Sequence, residues 1–185
     1  MTYTFDEMDT LLRAIRYAEA QHRGQTRKDA THAPYIKHPL DVMDLLWQVG
    51  EVRDVMTLAA AVLHDTIEDT DTSPEDIQTL FGAEILAVVQ ELTDDKGLKR
   101  EERKRLQIEH APHKSPAAAQ IKIADKFCNV RDVIESPPED WSRERKIAYV
   151  QWAIDVVERL PKHNPPLEQH FYDLIAQVQT ALNQE

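Results

Sequence analysis

Cysteine is almost missing from this chain: Cys128 is the only one in 185 residues. That excludes a disulfide framework and a thiolate zinc centre. Glycine is scarce too, with four in all. Few segments alternate apolar and polar residues, so an antiparallel β architecture is disfavoured. No apolar run approaches the ~20 residues that cross a bilayer. The first ten residues, MTYTFDEMDT, are acidic and lack the basic and apolar regions of a signal peptide. The expectation is a cytoplasmic protein with no membrane partner. Cations are outnumbered: 22 Lys and Arg stand against 33 Asp and Glu, a net charge of −11. Nucleic acid is therefore not an expected partner, because its binding rests on a basic face that neutralises phosphates. An oligomer is compatible with the sequence but nothing in it specifies one.

What is present is an ordinary globular balance, 42% hydrophobic and 30% charged. The length suits one domain with a core of its own. Helical periodicity runs through most of it. Met8, Leu11, Leu12, Ile15 and Ala18 recur at helical spacing. Pro39 suits the first turn of a second helix and Gly50 its end. VMTLAAAVL, Val55 to Leu63, is apolar nearly all round and reads as a helix buried on every side. Ser73-Pro74-Glu75-Asp76 is a helix start, which Phe81-Gly82 should end. A basic stretch from Lys96 to Arg105 begins or precedes another helix. Ser115-Pro116 starts one with little polar surface, broken at Ser136-Pro137-Pro138. Ser142 to Leu160 and a last helix from Asn164-Pro165 complete the chain. The expectation is all-α, one helical bundle of about eight helices over residues 1–185.

Polar residues break the pattern on the two most apolar helices. His64-Asp65-Thr66-Ile67-Glu68-Asp69 follows VMTLAAAVL, and Asp125 sits inside IKIADKFCNVRD. An unpaired buried carboxylate costs several kcal/mol or protonates, so these acids need a cation. His64 and Glu68 are four apart, as are Asp65 and Asp69, and Asp125 and Asn129. If each helix continues, each pair shares a face. His38, just before a helix start, is a third contributor. Two histidines and two aspartates suit an octahedral divalent ion such as manganese, iron or cobalt better than zinc. Glu68 and Asp69 would take a proton from the attacking water. Each feature alone has a plainer explanation. Asp65 would cap a helix, Asp125 would pair with Lys122 or Arg131, and His38 would be structural. Together they are far less expected by accident and point to a metal site. His22, His32, His110, His113, His163 and His170 fit polar surfaces. KREERKR is either a basic pocket wall or a solvated helix face.

These strings resemble the HD-domain phosphohydrolase superfamily, and within it the hydrolase domain of RelA/SpoT-type alarmone enzymes. The matching segments are RKDATHAPYIKHP (27–39), LHDTIEDT (63–70), FGAEI (81–85), LTDDKGLKREERKR (92–105) and IKIADKFCNVRD (121–132). The likeness runs from about residue 14 to 160, with a C-terminal helix over 164–184 expected to pack on it. The length leaves no room for a synthetase domain, so the chain looks like a small stand-alone alarmone hydrolase. The resemblance implies Mn²⁺ and hydrolysis of the 3′-diphosphate of guanosine 3′,5′-bis(diphosphate), releasing pyrophosphate. It implies His38, His64, Asp65 and Asp125 as metal ligands, with Glu68 and Asp69 handling the water. It implies Arg27, Lys28, Asn129, Arg145 and Tyr149 as nucleotide contacts. The loop after Arg27-Lys28 departs from the family, where glycine is frequent; here it reads DATHA. Two alternatives stay open. One is an HD hydrolase of another nucleotide, such as an adenosine alarmone, a 2′-phosphorylated dinucleotide or a deoxynucleotide. The other is a non-catalytic alarmone-binding module.

Overall fold

The computed structural model describes residues 2–28, 32–138, 140–182 and 184. Ten α-helices follow in order: α1 (Phe5–Gln21), α2 (Lys37–Gln48), α3 (Val55–Leu63), α4 (Thr66–Asp69), α5 (Pro74–Phe81), α6 (Ala83–Leu92), α7 (Arg100–His110), α8 (Pro116–Glu135), α9 (Arg143–Arg159) and α10 (Pro165–Leu182). A 3₁₀ turn covers Ala111–His113. Among the described residues there is no strand, only one isolated bridge between Thr26 and Pro34. The all-α expectation holds. Two helices exceed the eight read from the sequence. One is the single turn α4. The other is α6, which Gly82 separates from α5 by adopting φ +90°, a conformation that side-chain-bearing residues rarely take.

The helix starts follow local chemistry. Ser73 and Asp76 form a reciprocal capping box with Pro74 in the first turn. Ser115 and Ser142 cap α8 and α9 through their hydroxyls. Asp54 caps α3 by accepting from the Thr57 amide at 2.9 Å and its hydroxyl at 2.6 Å.

Two helices form the interior. α3 has eight of its nine residues buried and packs against α1, α2, α6 and α8. Its alanines let neighbours approach closely, and α1 answers with Ala14 and Ala18 at zero exposure. That packing turns Met8 and Leu12, expected on the core face, outward, 39% and 55% exposed. α8 is the second axis, packed by α2, α6, α9 and α10. The end of α2 is fixed to this axis at Gly50. A Cβ there would lie 2.9 Å from the Leu46 carbonyl oxygen and 3.1 Å from Asn164 Nδ2. Asn164 in turn donates to the Gly50 carbonyl and Gln120 and caps α10 at Leu167. At the opposite end of α2, its first turn meets the end of α3 and the middle of α8, and the unusual polar residues sit at that meeting point.

Candidate active site

α3 ends at Leu63, and the continuous helix that the four-residue spacings would require does not form. His64 and Asp65 make a turn before α4. Adjacent residues on a helix point about 100° apart. The break lets both side chains address one point, with His64 Nε2 3.1 Å from Asp65 Oδ2. Asp65 makes no side-chain capping bond, so it is free for another task. His38, buried near the start of α2, brings Nε2 to 3.8 Å from the same oxygen. Asp125, from the middle of α8, places Oδ1 3.2 Å from His38 Nε2 and 3.9 Å from His64 Nε2. The ligand atoms of His38, His64 and Asp65 all lie within 4.8 Å of one another.

This donor set fits a divalent metal ion. His64 Nδ1–H donates to the Ala61 carbonyl at 2.7 Å, which leaves the Nε2 lone pair facing the acids. That buried Nε2 has no hydrogen-bond partner. Burial opposes a charge on His64, but Asp65 and Asp125 outweigh it and push its pKa up to about 9. The acids thus demand a cation at this point, which the ion would supply in place of the proton. Burial holds His38 below the usual histidine range, the form a ligand needs. For Asp125, burial is overcome by Lys126 and His38, and its carboxyl stays well below the usual range. Its second oxygen is 3.3 Å from Lys126 Nζ and 3.9 Å from Lys122 Nζ. The simple ion pair foreseen with Lys122 is therefore real, but it uses only the outer oxygen. Arg131 pairs with Asp41 and Asp132 instead.

The other expected residues fall into three groups. Asp69, Asn129, Arg27, Lys28 and Tyr149 line one cavity of about 570 Å³, a size suited to a nucleotide-scale ligand. The cavity joins the four-residue cluster through shared groups. Asn129 donates to Asp125 Oδ1 at 2.5 Å, and Tyr35 OH donates to Asp65 Oδ2 at 2.6 Å and lies 3.3 Å from Asp69 Oδ2. Arg27 bonds Asn129 at 3.1 Å and Asp132 at 2.7 Å. Glu68 lies off the cavity wall. Burial pushes its carboxyl up to about 7, despite a hydrogen bond from the Asp94 amide at 3.0 Å. Arg145 lies outside the wall, its guanidinium 4.6 Å from the ring centre of Trp141, which does line the cavity. Residues 29–31 of the glycine-less loop lie outside the described residues. His32 beside them takes φ +49°.

Several residues of the site went unread in the sequence. Tyr35 sits in a string already singled out, yet its aromatic ring marks only packing until Asp65 is found 30 positions away. KREERKR divides between both readings. Arg100 lines the cavity, Arg103 reaches Glu68 at 3.4 Å, and Lys104 lies over Trp152 and Tyr149. Lys96, before α7, pairs with Asp69. Arg105 is the solvated member, paired with Glu102 and Glu109. His22 corrects the surface assignment: it is 2% exposed, its ring against Tyr35.

The HD-domain family model matches residues 14–154. The chain belongs to the HD-domain family. Within it, the chain is 45% identical over 171 residues to human guanosine-3′,5′-bis(diphosphate) 3′-pyrophosphohydrolase MESH1, covering 92% of this chain and 96% of that one. The Drosophila melanogaster protein of the same name is 44% identical over 157 residues, 85% and 88% of the two chains. A solved structure, described as a metazoan ortholog of SpoT that hydrolyzes ppGpp, superposes with a TM-score of 0.90 at 41% identity, covering 96% of this chain and 98% of that one. An HD-domain fold over nearly the whole chain is thus the common ground.

Proposed function

We propose that this HD domain is a manganese-dependent hydrolase of guanosine 3′,5′-bis(diphosphate) and its pentaphosphate relative, releasing pyrophosphate and GDP or GTP. The whole of residues 1–185 acts as one unit in this reading, with α10 packed on the family core. The observation that carries it is the junction of two histidine nitrogens and two carboxylates with a cavity walled by Arg27, Lys28 and Asn129. Near-full-length likeness to proteins named for this activity supports the same substrate.

His38, His64, Asp65 and Asp125 would hold the ion. Their mixed nitrogen and oxygen donors favour manganese over magnesium, which prefers oxygen alone. When bound, the ion supplies Lewis-acid polarisation of a phosphoryl oxygen and makes water a better nucleophile. Everything else falls to the chain. Arg27 and Lys28 receive the base and the nucleotide charge, and Asn129 faces the ribose and its 3′-phosphate. Tyr149 and Arg145 close the far side, Arg145 through Trp141. Asp69, held by Lys96 and next to Tyr35 OH, orients the attacking water and accepts its proton with Glu68. Water oxygen bonds to the phosphorus on the ribose 3′-oxygen. The bond between that phosphorus and the ribose 3′-oxygen breaks, its electron pair stays on the oxygen, and the proton taken from the water returns there to give a free 3′-hydroxyl. Positioning and charge stabilisation are what phosphoryl transfer asks of a protein.

The test is turnover of the tetraphosphate in ¹⁸O water with manganese. Label is expected in the pyrophosphate and not in GDP. Orthophosphate as first product, or label on the nucleotide, overturns the assignment. A panel including adenosine and 2′-phosphorylated nucleotides separates the related HD activities, and binding without turnover would mark a sensor.

A further inference from the structure

α4, which carries Glu68 and Asp69, is a single helical turn. Four residues have no helical stability of their own, so its geometry is imposed from outside. The described contacts show one side chain reaching its last backbone carbonyl from across the fold: Gln25 Nε2 donates to the Asp69 carbonyl at 2.7 Å. A carboxamide has one donor end and one acceptor end. With Nε2 committed to Asp69, Gln25 Oε1 must accept, and the atom facing it at 2.8 Å is His22 Nδ1. His22 must then carry hydrogen on Nδ1. Its ring is buried, and its Nε2 has no partner.

The same histidine acts along a second route. Its ring centre lies 4.8 Å from that of Tyr35, which bonds Asp65 and lies beside Asp69. Backbone bonds close the arrangement: the Gln25 amide donates to the His22 carbonyl at 3.0 Å, and the Tyr35 amide donates to the Gln25 carbonyl at 2.9 Å. One end of α1 is thus clamped to both ends of the Asp69 residue, its carbonyl through Gln25 and its carboxylate through Tyr35.

We propose that His22 and Gln25 are positioning residues for the hydrolysis, fixing Asp69 through a His22 Nδ1–H···Gln25 Oε1 and Gln25 Nε2–H···Asp69 carbonyl relay. The role rests on the proposed hydrolase activity, whereas the relay itself does not. Misplacing a group that aligns the nucleophile by a fraction of an ångström lowers turnover without removing ground-state binding.

Two measurements test it. In metal-free protein carrying ¹⁵N-labelled histidine, long-range ¹H–¹⁵N spectra should show hydrogen on His22 Nδ1, and Gln25→Met should shift that signal. Hydrogen on Nε2 instead, or no response to Gln25→Met, overturns the relay whatever the enzyme's activity. In the manganese-loaded enzyme, His22→Ala and Gln25→Met should each lower kcat roughly ten- to a hundredfold. Bound manganese should stay unchanged in both variants, and KM should stay unchanged in His22→Ala, because His22, unlike Gln25, lies off the cavity wall. His22→Asn, whose amide nitrogen takes the place of Nδ1, should recover most of kcat. Unchanged kcat in both variants, or an Asn variant as slow as the Ala variant, overturns the positioning role. A wild-type enzyme that leaves the tetraphosphate intact would instead refute the substrate reading, with the spectra still deciding the relay.

Discussion

α3 and α7 reach the same site with opposite chemistries. α3 has one residue that is not buried, and α7 has none that is. α3 is held on four sides by other helices and delivers His64 and Asp65 from its end. α7 rests on polar contacts: the Trp152 ring nitrogen donates to the Lys104 carbonyl at 3.1 Å, and Arg103 reaches Glu68 at 3.4 Å. Rigid placement of the proposed ligand atoms needs the dense packing of α3, because packed interiors do not yield. Supplying charge over an anionic substrate needs only cations in solvent reach, which α7 and the residues before it provide. A protein of net charge −11 thereby keeps a basic cavity wall.

The largest effects should come from the α3 side. His64→Ala and Asp65→Ala should abolish both manganese binding and turnover, read by metal analysis and by a tetraphosphate assay. Metal retained by either variant would dissolve the distinction between ligand helix and charge helix. Next, Glu68→Gln and Asp69→Asn should keep the metal and lose roughly 10²–10⁴-fold in kcat, as for a general acid–base group. Loss of metal there would move both acids into the ligand set.

Stability should divide the two helices in the same order. Leu58→Ala, at 1% exposure in α3, should cost about 2–5 kcal/mol in urea unfolding. Arg105→Ala in α7 should leave the urea midpoint essentially unchanged, because its partners are exposed surface acids. A large loss at Arg105 would mean that α7 is packed more firmly than its exposure indicates.

A pH dependence in chelator-treated protein sharpens the comparison from the acid side. Burial lifts the Glu68 carboxyl from 4.5 to about 7 in the folded chain. The native state therefore binds more protons than the unfolded state between those values. This group favours folding fully below pH 4.5, progressively less up to about pH 7, and no less beyond it. Urea midpoints followed across that window should fall with pH more steeply in the wild type than in Glu68→Gln. Parallel slopes would place Glu68 in solvent.

How much of this was legible in the sequence depends on the kind of signal. VMTLAAAVL announced a buried helix, because no exposed helix is apolar all round. Acids at its end and in α8 announced a cation, because burying them alone is too costly. Capping serines and prolines marked helix starts by local hydrogen bonding, and the structure keeps them. α6 went unread because a single glycine joins it to α5. Helix-length spacing between His64 and Glu68 suggested a continuity that the turn at His64-Asp65 breaks.

The sequence by itself determined the helical class, the two buried axes and the residue types that meet between them, since periodicity, burial cost and capping are properties of near neighbours. Only the tertiary structure decided which atoms face one another. The approach of Gln25 to Asp69, Tyr35 to Asp65, and Lys96 and Arg103 to the acid pair spans 27 to 44 positions of chain. Such contacts follow from how helices pack, and nothing in local composition encodes them.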